Sequence, residues 1–276
     1  QAIASAPRKP DIVLFSETTL RRPYAEFRSY FDSHPASDPF IPFIKESGAW
    51  LLTGGPIIVD WQSYDATNSA ILIDPEARFV KSYAKVHPVP FAEAIPFWDI
   101  PAFRNFMQKV VGLESGWVMG TEFILFDLPT KDGQFRFGSP ICFEDAFPDV
   151  CRNFALQDAD FLINLTNIAW SRTDSAEIQH WAAARLRAIE SRKTLVRSTN
   201  AGVSCVVGPH GEMIDSLPLF ASASKFVQVP IYRDSSPTVY TSLGDWFARS
   251  ALLLSAALAI ILIIEEERTR RAGRGR

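Results

Sequence analysis

The sequence predicts a mixed α/β protein in which sheets are layered against helices. Short runs rich in β-branched and aromatic residues alternate with helical segments between residues 11 and 231, and this alternation is typical of α/β sandwiches. No internal repeat or flexible linker divides the region. A hairpin-like pair at 194–209, turning at Asn200, Ala201 and Gly202, predicts antiparallel pairing, so a purely parallel sheet is not expected.

The predicted strands are short apolar runs bounded by turn-forming residues. They lie at residues 11–17, 50–59, 68–74, 79–87, 123–129, 135–143, 160–167, 194–200, 203–209 and 225–231.

Two segments have helical patterns. Residues 38–48 form the first, which is expected to end at Gly48. Residues 174–193 form the second, with Asp174 or Ser175 as the expected N-cap. Its apolar positions recur with a helical period, at Ile178, Trp181, Ala182, Leu186 and Ile189. Residues 89–122 contain several Pro and aromatic residues without clear periodicity, which favours a functional loop over core structure.

Composition excludes several classes of protein. The 276 residues are 47% hydrophobic and 21% charged, which excludes a disordered chain. A net charge of −3 and an isoelectric point near 5.9 provide no electrostatic footprint for nucleic acid, so no nucleic-acid partner is expected. Three cysteines are too few for a disulfide scaffold or a cysteine-based zinc site.

The C-terminal segment differs from the rest of the chain. Residues 250–264 contain no charge, and a helix over 246–264 would be about 28 Å long, close to the thickness of a bilayer's hydrocarbon core. Trp246 suits the membrane interface, and Arg249 can extend its charge toward water. The alternative is a buried helix of a soluble domain, but the run is apolar on every face. Because residues 265–276 carry five Arg, the positive-inside rule predicts a cytoplasmic tail, with the preceding domain on the other side.

Three residues at predicted strand ends could perform chemistry together. Cys142 lies where a strand turns into a helical stretch, a position that can expose a thiol beside backbone N–H groups. Glu17 closes the first strand and Lys85 lies near the end of another. Each of the two alone would be an ordinary surface residue. Together they supply the base and the cation that a cysteine nucleophile requires.

Other residues with reactive side chains have less suitable settings. His87 is the best placed of the four histidines to act as an alternative base. Cys151 falls in the helical stretch that is expected to follow Cys142, and Cys205 falls in the predicted strand 203–209. We therefore expect both to be packing residues, as most cysteines are.

Ordered sequence blocks surround these residues. S-E-T occurs at 16–18, Y-x-K-x-H-x-V-P-F-x-E at 83–93 and I-C-F-E at 141–144. They resemble the three catalytic blocks of the nitrilase superfamily, and their joint order is more specific than any single block. Further matches are N-x-x-W at 167–170, R-x-x-x-x-E at 185–190, S-T-N-x-G at 198–202 and G-P-x-G-E at 208–212. Within the superfamily, the lysine block and the C-terminal apolar helix are most similar to bacterial apolipoprotein N-acyltransferases.

The resemblance implies a fold and a set of site residues. The fold is an α-β-β-α sandwich followed by a C-terminal transmembrane helix, and a Glu-Lys-Cys triad maps onto Glu17, Lys85 and Cys142. No metal or organic cofactor is implied. Four further positions are implied to support the site. Glu93 matches a second glutamate that positions lysine and substrate, and Glu144 matches an acidic residue beside the site. Phe143 follows the nucleophile and is expected to offer its backbone N–H to the oxyanion, while Trp170 and the 89–122 loop resemble parts that flank a lipid entrance.

The resemblance also implies a reaction. A fatty acyl chain passes from a membrane phospholipid, through a thioester on Cys142, to the N-terminal amine of a lipid-modified cysteine of an apolipoprotein. Lys85 is expected to lower the pKa of the thiol. The expected partners are the phospholipid, the apolipoprotein and the bacterial inner membrane, and a monomer is expected. Two alternatives stay open: a membrane-tethered nitrilase or amidase that hydrolyses a C–N bond with the same triad, and an inactive nitrilase-like binding module.

We therefore expect three segments, with a catalytic domain at 1–245, a transmembrane helix at 246–264 and a basic cytoplasmic tail at 265–276. The similar proteins carry membrane helices and one more strand before the matched glutamate, and Gln1 is not an initiator Met. We expect the chain to be a piece of a longer protein.

Overall fold

The computed structural model describes residues 3, 6–90, 92, 93, 95, 97, 100–111, 116–233 and 236–274. Parts of the predicted 89–122 insertion and of both chain ends lie outside these residues. The strands, in chain order, are β1 (Ile12–Leu14), β2 (Trp50–Asp60), β3 (Asp65–Ile73), β4 (Phe79–Ala84), β5 (Leu125–Thr130), β6 (Gly133–Gly138), β7 (Phe161–Asn167), β8 (Leu195–Asn200), β9 (Cys205–Val207) and β10 (Met213–Ser216).

The helices are α1 (Arg28–Ser33), α2 (Phe40–Ser47), α3 (Pro101–Phe106), α4 (Pro148–Leu156), α5 (Asp174–Ser191), α6 (Val239–Leu243) and α7 (Trp246–Arg274). A π-helical turn, Met107–Val111, continues α3, and a 3₁₀ turn, Cys142–Ala146, follows β6. As predicted, Gly48 ends α2 in the left-handed conformation, with φ 56°.

The described strands form two sheets, one of four strands in the order β1-β2-β3-β4 and one of six in the order β10-β9-β8-β7-β6-β5. β1 runs parallel to β2, and β7 runs parallel to both β6 and β8. The other named pairs are antiparallel, including β8 with β9, which confirms the predicted hairpin.

Alternation along β3 shows how the layers are stacked. Ala70 and Leu72 belong to a core cluster shared with the six-stranded sheet and with α4 and α5. Ile71 and Ile73 point the other way, into a second cluster with the side chains of α1 and α2. Since neighbouring side chains of a strand face opposite sides of its sheet, the four-stranded sheet separates the two clusters. The order of layers confirms the predicted α-β-β-α sandwich.

The predicted strand at 225–231 is wrong. The segment has no strand structure, although Val227, Val229 and Ile231 pack against the core as partly buried residues. Pro230 has no N–H for a ladder, and its carbonyl accepts a hydrogen bond from the Thr194 hydroxyl. Alternating apolar residues therefore mark packing here without strand pairing.

Helix α5 confirms the predicted element but not its cap. Its N-cap is Thr173, which makes no side-chain cap hydrogen bond, so the expected Asp174 or Ser175 cap is wrong. The buried face also differs from the apolar period, because Ile178 and Leu186 are exposed. The buried positions are polar or small, namely Glu177, His180, Ala184, Arg187, Ala188 and Ser191. His180 and Arg187 bond to Asp145 and to the Ala146 carbonyl in the 3₁₀ turn, and local periodicity does not reveal such pairings.

Among the described residues, one helix is long and apolar enough to cross a membrane by length and composition, Trp246–Arg268. None of its most apolar window is buried against the rest of the protein. The same helix, α7, continues to Arg274, so the described part of the basic tail extends the apolar segment without a break.

Gly54 provides a test of how β2 supports the loop that carries Glu17. A Cβ at this position would lie 2.6 Å from the Glu17 Cα and 2.7 Å from the Thr18 nitrogen. We expect Gly54→Ala to lower the free energy of unfolding by about 1–3 kcal/mol, because backbone must move to admit the methyl group. Denaturant unfolding in detergent measures this. Gly116→Ala is the control, since a Cβ there meets nothing within 4 Å. Equal effects of the two variants would contradict the prediction.

Candidate active site

The candidate site lies where several strands end. Glu17 follows β1 by a short turn, Lys85 follows β4 directly, and Cys142 begins the turn after β6. The Lys85 Nζ is 3.8 Å from the Glu17 Oε1. The Asn167 N–H donates to the Glu17 Oε2 at 2.8 Å, and the Cys142 thiol donates to the Asn167 carbonyl at 3.9 Å. The three predicted residues are thus brought together and buried, with exposed fractions of 5%, 1% and 8% for Glu17, Lys85 and Cys142.

A second carboxylate completes the surroundings of the lysine. The Lys85 Nζ lies 2.8 Å from the Glu93 Oε1 and 2.6 Å from its Oε2. The Val89 N–H donates to the same carboxylate at 2.8 Å. Asn68 joins the two acids, since its Nδ2 donates to the Glu17 Oε1 at 2.7 Å and to the Glu93 Oε1 at 3.3 Å. Sequence reasoning did not select Asn68. Its signal was a polar side chain at the first position of the predicted strand 68–74.

The turn that carries the thiol has an unusual backbone. Cys142 has φ of 51°, a left-handed conformation that is rare for residues with a side chain. Such strain persists where surrounding contacts fix it. The buried Asn164 Nδ2 supplies two of those contacts, donating to the Pro140 carbonyl at 3.1 Å and to the Cys142 carbonyl at 3.0 Å. Asn164 was also missed, because an Asn inside a buried strand carries no local pattern.

Glu144 ties the thiol turn to the strand end that carries the lysine. Its carboxylate accepts hydrogen bonds from the N–H groups of Val86, His87 and Ile141 at 2.7, 3.0 and 2.7 Å, and from the Tyr83 hydroxyl at 3.1 Å. Burial raises the pKa of Glu144 to about 7, against the opposing effect of the backbone donors. The expected acidic residue beside the site therefore contacts the backbone on both sides of it.

A buried ion cluster holds the other end of the turn. The Asp145 carboxylate accepts from the Arg197 Nε at 3.0 Å and contacts the His180 Nε2 at 2.7 Å. Burial would raise the pKa of Asp145, but Arg197 and His180 outweigh it and hold the pKa below its usual value. The Arg187 guanidinium adds a hydrogen bond to the Ala146 carbonyl at 3.2 Å. None of these residues was selected from the sequence, since their partners are distant in the chain.

The charges around the thiol favour its protonated form. Burial raises the pKa of Cys142, the negative charge of Glu17 raises it further, and Lys85 lowers it by less. Lys85 does lower the pKa of the Cys142 thiol, as expected. The pKa is nevertheless raised overall, so the expectation of a thiol with a low pKa is wrong. Burial also lowers the pKa of Lys85, but the acidic neighbours Cys142, Glu17 and Glu93 outweigh it, so the amine keeps its proton. Both shifts are in the direction that favours the protonated form of each group.

The remaining predicted residues lie around this cluster. Phe143 is half-exposed, and its ring packs edge-on against Phe147, with centroids 5.3 Å apart. Trp170, past the end of β7, is 74% exposed. His87 stacks on Phe147, and its Nε2 lies 3.3 Å from the Asp149 carboxylate. That carboxylate belongs to α4 and lies outside the Glu17 and Lys85 cluster, so this geometry does not favour His87 as the base.

The described part of the 89–122 insertion returns beside the lysine. The Gly120 N–H donates to the Lys85 carbonyl at 2.7 Å, and the Val118 N–H to the Ala66 carbonyl at 2.9 Å. The insertion exposes large apolar side chains, at Phe97, Ile100, Phe106 and Val110. It also contains α3 and the π-helical turn, which the absence of a clear period did not predict.

The sandwich and the buried cluster at its strand ends define an α/β protein of the nitrilase type. Residues 35–230 match the family model described as carbon-nitrogen hydrolase, and the chain belongs to that family.

Several relatives within the family carry the name of one enzyme. The chain is 41% identical to apolipoprotein N-acyltransferase 2 of Treponema denticola over 99% of its own length and 51% of the relative's. It is 38% identical to the protein of the same name from Treponema pallidum, over 96% of this chain and 48% of that one. It is 31% identical to the apolipoprotein N-acyltransferase of Borreliella burgdorferi, over 92% of this chain and 47% of that one. The chain spans about half the length of these relatives.

Solved structures share the fold at low identity. An amidase from Nesterenkonia sp., with the acetamide moiety of fluoroacetamide covalently added at its active-site cysteine, superposes with a TM-score of 0.53 at 18% identity. The match covers 76% of this chain and 73% of the amidase. At this identity the likeness concerns the fold alone.

The opposing charges around Cys142 lead to a test of its protonation. Glu17→Gln removes a charge that raises the thiol pKa, so the pH midpoint of Cys142 alkylation should fall. Lys85→Met removes a charge that lowers it, so the midpoint should rise. Iodoacetamide rates measured against pH, with mass spectrometry of the Cys142 peptide, give both midpoints. Cys151 and Cys205 are buried controls. Shifts of the same sign in both variants would refute the assigned electrostatics.

Proposed function

We propose that this chain carries the catalytic domain of an acyltransferase that moves a fatty acyl chain from a membrane phospholipid to the N-terminal amine of a lipid-modified cysteine in apolipoproteins. One juxtaposition carries the proposal. A buried thiol, carboxylate and ammonium meet in a chain that continues into an apolar helix suited to a bilayer. The names of the curated relatives support the same reaction.

The first half-reaction forms a thioester. Glu17 takes the proton of Cys142 as the sulfur attacks an ester carbonyl of the phospholipid, so the carbon–sulfur bond forms while the thiol loses its proton. The raised thiol pKa favours this coupled transfer over a standing thiolate. The tetrahedral intermediate then expels the lysophospholipid oxygen, which takes the proton back from Glu17. The acyl group stays on the sulfur.

The ammonium of Lys85 has the charge to stabilise the oxyanion of that intermediate. A fixed positive group in a buried site stabilises developing negative charge without reorganising. Glu93 holds the amine in place, and Asn68 in turn donates to Glu93 and Glu17. The backbone N–H of Phe143, one peptide beyond the nucleophile, is the second proposed donor. Glu144 and Asp145 fix the turn that carries it.

The second half-reaction transfers the acyl group to nitrogen. The free amine of the lipid-modified cysteine attacks the thioester carbon, and Glu17 accepts the proton that the amine loses. Collapse of the intermediate breaks the carbon–sulfur bond, and the sulfur recovers its proton from Glu17. The product is an amide, and the enzyme returns to its starting state. Hydrolysis would use the same thioester with water as the acceptor, so the acceptor alone separates a transferase from an amidase.

Both proposed substrates are held in the membrane by acyl chains, which gives the apolar parts of this chain a purpose. In the proposal, residues 1–245 form the catalytic domain on the extracytoplasmic side of a bacterial inner membrane, and residues 246–264 cross it. The basic residues at 265–276 stay in the cytoplasm. Trp170 and the exposed apolar side chains of the insertion flank the route by which a lipid reaches the thiol. The proposed unit is a monomer.

The proposed thioester provides a direct test. After incubation of the full chain with phospholipid vesicles, intact-protein mass spectrometry should show an added acyl mass that hydroxylamine removes. Peptide mapping should place it on Cys142, and Cys142→Ala should abolish it. An adduct on Cys151 or Cys205, or full transfer by Cys142→Ala, would refute the assignment. Absence of any adduct would favour a binding module, and turnover of a small amide would favour a hydrolase.

Glu93 is expected to act through the lysine. Glu93→Gln leaves Lys85 with one carboxylate neighbour and a less fixed ammonium, so acylation of Cys142 should slow by about 10- to 100-fold. Single-turnover acylation rates and thermal melting check this. Glu212→Gln, in the turn between β9 and β10, is the matched control and should retain the wild-type rate. A full rate in Glu93→Gln would show that Glu93 does not position the amine.

A further inference from the structure

The short helix α6, which leads into α7, exposes two large apolar side chains and buries a hydroxyl-bearing one. Val239 and Leu243 are 61% and 59% exposed. Trp246 and Phe247, at the start of α7, are exposed as well. The polar Thr241 is buried instead. We refer to the four exposed apolar residues Val239, Leu243, Trp246 and Phe247 as the collar.

One arginine binds the backbone carbonyls of α6. The Arg152 Nε donates to the carbonyls of Tyr240 and Thr241 at 3.2 and 2.8 Å, and its Nη2 donates to the Ser242 carbonyl at 3.2 Å. Carbonyls at the end of a helix lack intrahelical partners and carry partial negative charge. A guanidinium can satisfy several of them at once because its donors form a rigid fork. α6 is thereby fixed to α4, and the Thr241 hydroxyl adds a bond to the Glu190 carbonyl of α5 at 3.4 Å.

Arg152 is also close to the thiol turn along the chain. Its helix, α4, begins at Pro148, directly after the turn that carries Cys142. From Pro148 to Arg152 the helix rises by about 6 Å, at 1.5 Å per residue. The turn itself is held by Glu144, Asp145 and Arg187. A continuous set of contacts therefore runs from Cys142 through α4 to α6, which carries Val239 and Leu243 of the collar and leads directly into α7.

The collar suits the interfacial region of a bilayer. Its apolar side chains are continuous with the apolar span of α7, none of whose most apolar window is buried in the protein. Tryptophan is favoured where hydrocarbon meets headgroups, and apolar helical faces that protein does not cover are stabilised there. Lipid is consequently the occupant that this surface fits.

We propose that Arg152 is a positioning residue that couples the turn carrying Cys142 to a collar embedded in the bilayer interface, and so sets where a membrane lipid meets the thiol. The inference rests on the proposed function, in which Cys142 accepts an acyl group from a lipid. Arg152 does not touch the reacting atoms. Its loss should affect donors held in a bilayer and spare donors that diffuse in water.

Two acyl donors test the coupling. The full chain is reconstituted in vesicles of phosphatidylethanolamine and phosphatidylglycerol, and acylation of Cys142 is followed from the vesicle lipid or from water-soluble p-nitrophenyl butyrate. For Arg152→Met we expect the soluble-ester rate within about twofold of wild type and the lipid rate lowered by about tenfold or more, because a misplaced lipid loses its reactive geometry. Arg78→Met, at an exposed Arg paired with Asp74 in the β3–β4 turn, is the control and should leave both rates unchanged.

A second variant tests the coupling without changing Arg152, in case Arg152→Met fails to fold. Insertion of Gly-Ser-Gly-Ser between Gly244 and Asp245 keeps every contact of Arg152 but loosens α7 from the domain. We expect the same selective loss of the lipid rate. Equal losses with both donors would show that Arg152 merely supports the thiol turn. Unchanged lipid rates in both variants would overturn the coupling.

The collar has a separate readout that does not depend on acyl transfer. Brominated lipids should quench the tryptophan fluorescence of the wild-type chain. In Trp246→Phe part of this quenching should be lost, because the collar tryptophan is absent. Quenching that is the same in both proteins would overturn the collar even if acylation proceeds. If the wild type is acylated by neither donor while Trp246 is quenched, the proposed function fails and the membrane placement stands.

Discussion

The burial of the Lys85 ammonium between two carboxylates is the interaction on which the rest of the site depends. Removing a charge from water costs several kcal/mol unless partners replace the lost hydration. Glu17 and Glu93 provide those partners, and Asn68 donates to both acids, which would otherwise repel each other. Because these groups come from separate segments, the four-stranded sheet must align before the charge can be buried. Fold and site are therefore stabilised together.

The same arrangement sets the chemistry of the thiol. Burial raises the pKa of Cys142, and the negative charge of Glu17 raises it further, against a smaller lowering by Lys85. A free thiolate would be a standing target for oxidation and alkylation. A thiol that loses its proton only during attack avoids this, at the expense of needing a base within reach. In the proposed mechanism Glu17 is that base, and the Asn167 backbone lies between the two groups, since its N–H donates to the Glu17 carboxylate and its carbonyl accepts from the Cys142 thiol.

Sequence patterns predicted the parts of the molecule whose causes are local. The mixed α/β class, the β8–β9 hairpin, the end of α2 at Gly48 and the blocks around Glu17, Lys85 and Cys142 all depend on short stretches of chain, whereas the α-β-β-α order of layers came from the family resemblance. Asn68, Asn164 and Asp145 could not be predicted this way, because a buried polar residue is stable only where a distant partner satisfies it. The same reason explains α5, whose buried face carries His180 and Arg187 while Ile178 is exposed.

The position of the Cys142 thiol has to be fixed both relative to the domain and relative to the bilayer. The left-handed backbone of Cys142 needs rigid surroundings, and Glu144 and Asp145 supply them within the domain. A lipid substrate, however, is positioned by the bilayer and not by the domain. Rigid geometry at the thiol is useful only if the domain keeps a constant relation to that bilayer. In the proposed arrangement this relation passes through α4, and the polar clamp at Arg152 leaves the apolar collar facing outward. In that arrangement the uncovered apolar surface of α7 meets the lipid directly beyond α6, whose contact with Arg152 leads back through α4 to the turn that carries Cys142.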